Sequence, residues 1–188
     1  MKIQPWNRIE SRKRESYRVF DVREDRSVSP VTGTEYGFFV IESNDWINVI
    51  PITEDGRIVF VRQYRHGTQE ITLEVPGGIV DDGERAIDAA VRELREETGY
   101  LPEEIVHIGT VAPNPAIQEN SCHTYVARNC RHVERQQLDG AEEIEVVLVD
   151  ADEVPRLMTE GRITHSLVVA AFYYFDLYRQ SRRRSGAG

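Results

Sequence analysis

The sequence predicts an α/β or α+β domain built on a mixed sheet and preceded by a small N-terminal β-meander. Three observations support this. Short runs rich in Val, Ile, Phe and Tyr are bounded by Gly, Pro and Asp-Gly punctuation, as strands are. One segment, 84–98, shifts to a helical period, and the two kinds of segment are interspersed rather than segregated.

Residues 1–45 read as the meander. Tyr17–Val22 is rich in strand formers, Ser29–Gly33 is a turn, and Tyr36–Ile41 is the returning strand. The main domain spans 46–180. There Trp46–Ile52 and Arg57–Tyr64 flank Glu54, Asp55 and Gly56, with glycine supplying the positive φ of a tight turn. Thr72–Val75 is a short strand ending at Pro76, Gly77 and Gly78. From Glu84 to Thr98, apolar side chains recur at Ile87, Ala90, Val91 and Leu94, and Gly99 follows as the left-handed residue that ends a helix. Strands are expected at His107–Val111, Cys122–Arg128 and Ile144–Val149. A helix over Ala151–Glu160 ends at Gly161, and a longer one runs from Thr164, a suitable N-cap, to about Arg179. The tail, 181–188, has almost no apolar content and is expected to be disordered.

The chain has 188 residues, 40% of them hydrophobic, which suits the core of one domain with an accessory segment. No run approaches the roughly 18 apolar residues of a membrane-spanning helix. The N-terminus carries charge but no apolar stretch of the secretory kind, so a cytoplasmic protein without a membrane partner is expected. Lys plus Arg number 23 against 32 Asp plus Glu, and the net charge of −9 disfavours a nucleic-acid partner. A small phosphate ester would need local arginines, or metal ions held by carboxylates. Cys122 and Cys130 stand eight residues apart, about 26 Å along a strand, so no disulfide is expected. With His123 and His132 they lack the close C-x-x-C pair of a zinc site, and they read as buried thiols and surface imidazoles.

The chemistry concentrates on the helix after Gly78. At 100° per residue Glu93 and Glu97 share one face, beside the stripe of Ile87, Val91 and Leu94. Like charges at this spacing destabilise a helix by a few tenths of a kcal/mol, and Glu96 adds a third acid. A hard cation such as Mg²⁺ over that face would answer the repulsion. A solvated helix face with Arg92 pairing Glu96 is the plainer alternative for the hexapeptide alone.

The longer pattern decides between them. Gly78, five residues, Glu84, seven residues, then Arg92-Glu93-Leu94-Arg95-Glu96-Glu97-Thr98-Gly99 resembles the Nudix box, G-x5-E-x7-R-E-U-x-E-E-x-G-U, with Tyr100 at the last bulky position as the one departure. The resemblance implies an α/β/α sandwich that cleaves a nucleoside diphosphate linked to a second moiety, using Mg²⁺ or Mn²⁺. It makes Glu93 and Glu97 metal ligands, Glu96 a further ligand or outer acid, Arg92 an orienting partner and Glu84 a support, with the Gly77 carbonyl as an added ligand. Arg62-Gln63-Tyr64-Arg65 and Leu73-Glu74-Val75-Pro76-Gly77-Gly78 resemble segments of the ADP-ribose and nucleoside-diphosphate-sugar pyrophosphatases, as does Pro115 in the loop beyond the box.

In that resemblance Arg65 suits the diphosphate, since a guanidinium can hold phosphate oxygens in a bidentate manner. Glu74 and Pro115 would surround the second moiety. Trp46 opens a strand and can stack on a base or bury its ring in the core. The water still needs a base, and the family places one on a loop before a late strand; Glu142 and Glu143 both fit. The meander resembles the segment exchanged across a homodimer in these enzymes, and Tyr17, Phe20, Phe38 and Phe39 are more aromatic surface than it can hide alone. The alternatives are a Nudix hydrolase of dinucleoside polyphosphates or coenzyme A, and a non-catalytic module that binds ADP-ribose.

Overall fold

The computed structural model describes residues 2–138, 140 and 142–185, the side chain of Ser185 excepted. The chain forms two compact units, Met1–Asn44 with Ala112–Ser121, and Asp45–Val111 with Cys122–Gly188.

The first unit is a three-stranded antiparallel sheet in the order β1 (Asn7–Ser16), β2 (Asp21–Val28), β3 (Glu35–Glu42). The sequence reading put its first strand at Tyr17–Val22, but those residues begin with a turn in which the Tyr17 N–H donates to the Phe20 carbonyl at 2.9 Å. The true first strand, β1, lacks an alternating apolar pattern. Cross-strand ion pairs register it instead: Arg8 with Asp25 at 3.3 Å, Lys13 with Asp21 at 2.5 Å, and Arg14 with Glu24. The turn at Ser29–Gly33 forms as expected, with Gly33 at φ 71° and its N–H on the Ser29 carbonyl. The proline loop belongs to this unit, because the Ile41 N–H donates to the Ile117 carbonyl at 2.7 Å.

The second unit holds β4 (Trp46–Thr53), β5 (Arg57–Arg65), β6 (Glu70–Glu74), β7 (Gly77–Ile79), α1 (Ala86–Thr98), β8 (Tyr100–Leu101), β9 (Glu104–Val111), β10 (Cys122–His132), β11 (Ile144–Asp150), α2 (Val154–Thr159) and α3 (Ser166–Ser185). Its sheet runs β11-β5-β4-β10-β8, with β6 on β5, β7 on β4 and β9 on β10. The β4–β10 pair is parallel and the others are antiparallel, so the sheet is mixed, as predicted. Side chains alternate across it. Ile47 and Val49 of β4, with Tyr125 and Ala127 of β10, pack on Ala89, Ala90 and Leu94 of α1. Ile50 and Val126 point the other way, into a core with Phe60, Leu157, Val168 and Phe172. One helix covers one face and α2 with α3 the other, which is the α/β/α sandwich.

Helix α1 ends as expected, at Gly99 with φ 73°. Helix α3 runs further than the sequence suggested. Its arginines are good helix formers near a negative dipole end, and the guanidinium groups of Arg179 and Arg182 lie over the Phe175 and Tyr178 rings at 5.6 and 5.8 Å. The expected disordered tail is therefore helical through Ser185, and 186–188 lie outside the described residues. Among the described residues no helix is long and apolar enough to cross a membrane.

Candidate active site

The site is built where α1 meets β7. Gly77 and Gly78 pair with Asn48 and Ile47 of β4, and both glycines are required by contact rather than by backbone conformation. A Cβ on Gly77 would lie 2.4 Å from the Ile47 carbonyl oxygen, and one on Gly78 would lie 2.3 Å from the Glu93 carboxyl carbon. The bare backbone lets the Glu93 carboxylate press against the strand. It also lets the Gly77 N–H donate to Glu97 Oε2 at 3.1 Å.

Arg92 organises the acids. Its Nε and Nη2 hold both oxygens of Glu84 at 3.0 and 2.9 Å, and Nη1 reaches Glu93 at 2.7 Å and Glu96 at 3.3 Å. Nη2 also donates to the Ile79 carbonyl at 3.0 Å, which ties the loop before α1 to the helix. Hydrogen bonding to Arg92 holds Glu84 below the usual carboxylate range. Glu96 is the most exposed of the three helix acids, while Glu97 is only 5% exposed.

Burial, opposed by Arg92, raises the Glu93 pKa, and the charges of Glu96 and Glu142 raise it further. Burial also pushes Glu97 well above its ordinary value, reinforced by Glu93 and Glu142 and opposed by the Gly77 N–H and Arg65. Glu142 thus bears on both helix carboxylates. Glu143 is not among the leading charges on either.

Arg65 and Glu74 form a bidentate pair across β5 and β6, with Nε and Nη2 each 2.8 Å from a carboxylate oxygen. Thr72 Oγ1 donates to the same carboxylate at 2.6 Å, and His165 Nε2 stands 4.0 Å away. Burial would raise Glu74, but Arg65 and Thr72 outweigh it and hold the carboxyl low. Glu74, expected beside the substrate, is 3% exposed and accepts from Arg65 and Thr72, so in this structure it orients the arginine. The guanidinium is partly exposed and keeps Nη1 outside that pair. Sequence reasoning missed Thr72, whose only signal was a hydroxyl two residues before Glu74 on the same face of the strand.

Trp46 is half-buried and sits in neither apolar core, next to β7 by its pairing with Ile79. Pro115 and Glu119 belong to the N-terminal unit, where Arg23 engages Glu119. The structure therefore brings together Gly77, Arg92, Glu93, Glu96 and Glu97, with Glu142 in electrostatic reach of Glu93 and Glu97, and Arg65, held by Glu74, in reach of Glu97.

Among the described residues no three His, Cys, Asp or Glu side chains form a ready-made cage for a metal. The donor set still fits a hard divalent cation, because Mg²⁺ takes one or two carboxylates, several waters and substrate phosphates rather than an all-protein cage. Glu97, buried, accepting from the Gly77 N–H and repelled by Glu93, is a donor of that kind.

Known proteins resemble this chain in sequence and in fold. The model of the NUDIX domain matches residues 45–172. A methanol dehydrogenase activator of Bacillus methanolicus is 34% identical over 70% of this chain and 71% of its own length. An ADP-ribose pyrophosphatase of Bacillus subtilis is 27% identical over the same shares. In fold, the chain matches the crystal structure of an ADP compounds hydrolase with a TM-score of 0.85, covering 97% of this chain and 98% of that one at 19% identity.

The raised pKa of Glu97 has a sign for stability. Its carboxyl stabilises the fold while protonated, and that contribution is lost as pH rises through the folded value, so at pH 7 ionisation destabilises the metal-free protein. In EDTA at pH 7, Glu97→Gln should raise Tm. An unchanged or lower Tm would show that the charge is compensated within the protein.

Proposed function

The chain belongs to the Nudix family, and from that premise we propose that it hydrolyses the diphosphate bond of ADP-ribose or another nucleoside diphosphate sugar, giving a nucleoside monophosphate and a sugar phosphate. It is a pyrophosphohydrolase by family and relatives; the substrate class and products are our reading. The observation that carries it is the pair Glu93, half-buried, and Glu97, buried, set against Gly78 and Gly77, with Glu97 within reach of the Arg65 charge. Two inward carboxylates beside a guanidinium suit a diphosphate together with a cation.

Nudix hydrolases generally use divalent metal ions, and we assign Mg²⁺ to Glu93, Glu97, the Gly77 carbonyl and, further out, Glu96. When bound, such an ion neutralises the oxygens of the diphosphate and of the leaving phosphate. The chain's own residues do the rest. Arg92 holds Glu93 and Glu96 in place by hydrogen bonds. Glu74 and Thr72 hold Arg65 so that its remaining Nη1 meets a phosphate oxygen without reorganising. Glu142 accepts the proton of the attacking water, and its charge on Glu93 and Glu97 supports this choice over Glu143. We assign Trp46 to stacking on the base.

We also read the protein as a cytoplasmic homodimer that acts on a small nucleotide. In the N-terminal sheet Trp6 packs edge-on against Tyr36 and Phe38 at 5.6 and 5.4 Å, yet all three stay near half exposed and Phe39 is 62% exposed. A second copy would cover that surface.

Assays with Mg²⁺ over ADP-ribose, nucleotide sugars, dinucleoside polyphosphates, coenzyme A and triphosphates should give the highest kcat/KM on ADP-ribose or a nucleotide sugar. Preference for a polyphosphate or coenzyme A overturns the reading, and tight ADP-ribose binding without turnover makes the protein a sensor. Glu142→Gln should lower kcat by about 10² to 10⁴-fold while Glu143→Gln stays near the parent; the reverse order moves the base to Glu143. Light scattering should give a dimer for the full chain at micromolar concentration and lose it on deletion of residues 1–42; a full-length monomer removes the dimer.

A further inference from the structure

A helix leaves its last carbonyls without intrahelical donors, and in α1 those of Arg95, Glu96 and Glu97 are taken. Thr98 Oγ1 donates to the Leu94 carbonyl, the Gly99 N–H to that of Arg95 at 2.8 Å, and the Gln137 N–H to that of Glu96 at 2.8 Å. The carbonyl of Glu97 is taken by a side chain, Gln136, whose Nε2 lies 2.5 Å away. The same nitrogen donates to the Ile144 carbonyl at 3.2 Å, where β11 begins. A helix cap needs only the first of these two bonds.

The second bond links two parts of the site that the chain separates. Glu97 is a proposed ligand on α1, and Ile144 stands two residues beyond Glu142. A primary amide suits the task, since one neutral nitrogen carries two N–H groups. The opposite amide orientation would set an oxygen against two carbonyl oxygens, so the partners fix the assignment. The segment bearing Gln136 is itself held, by the Val133 N–H on the Gly99 carbonyl at 2.9 Å and by Arg95 on Glu134.

We propose that Gln136 is a positioning residue of the hydrolysis, a neutral brace that sets Glu142 against the carboxylates of α1. This rests on the reading of Glu142 as the base. Misplacement of a reacting group by about 1 Å can cost 10²-fold in rate.

Gln136→Met keeps the length of the side chain and removes both donors; Gln136→Asn keeps the amide but cannot span both carbonyls. Each should lower kcat on the best nucleotide-sugar substrate by about 10-fold or more, with KM within about threefold and circular dichroism unchanged. Adding Gln136→Met to Glu142→Gln should cost nothing further, because both act through one group. Near-parental kcat in both variants beside an impaired Glu142→Gln overturns the brace alone. So does a multiplicative loss in the double variant, or failure of both single variants to fold, which would make Gln136 an element of the fold. Parental activity of Glu142→Gln overturns the base assignment and this proposal with it, and absence of turnover in the parent is recognisable as failure of the hydrolase reading.

Discussion

Two carboxylates one helical turn apart, pressed against a strand and shielded from water, are the constraint around which the second unit is arranged. Glu93 and Glu97 repel each other and are both raised by burial. An isolated helix would tolerate this poorly. The surroundings make it possible by directing N–H groups inward: Arg92 onto Glu93, the Gly77 amide onto Glu97, and Arg65 at longer range. Arg92 is itself balanced by Glu84, so the cluster leaves the helix face acidic while its members are fixed. Such unrelieved charge is a standing destabilisation that a bound cation would remove, an arrangement found where function and stability compete.

That geometry depends on the sheet more than on the helix. Gly77 approaches β4, and Gly78 the Glu93 carboxyl, so closely that a methyl group on either would overlap its neighbour. Register therefore matters: Trp46, Ile47 and Asn48 pair with Ile79, Gly78 and Gly77 in sequence, and a slip of one residue would point Ile47 and Val49 away from α1. Apolar packing of Ile47, Val49 and Leu94 thus sets how deep the glutamates sit.

Much of this was legible in the sequence because it was local. The box fixes residue types at intervals that only a loop followed by a helix can use, and Gly56 and Gly99 announced left-handed positions that the backbone adopts. What was not legible required contacts distant in the chain. β1 carries charges where a strand reading looks for apolar alternation, and its partners are ions on β2. The pairing of Glu74 with Arg65 joins two strands, and no local pattern announces it. Arg23 gave no signal, yet it is 13% exposed and gathers Asp25, Glu42 and Glu119. Side chains that bond to backbone carbonyls of remote segments, as Gln136 does, leave no periodic trace at all.

The two units are stabilised by different forces, and that difference bears on the site. The N-terminal sheet relies on ion pairs that are mostly exposed, each worth about 0.2–1 kcal/mol and weakened by salt. The second unit rests on apolar cores on both faces of its sheet, where Phe60 stacks on Phe172 at 5.6 Å, an attraction that salt does not screen. Its charged cluster is partly or fully buried, and buried pairs are screened far less than exposed ones. Ionic strength therefore acts first on the ion-paired sheet and last on the carboxylates of α1, whose spacing is set by packing.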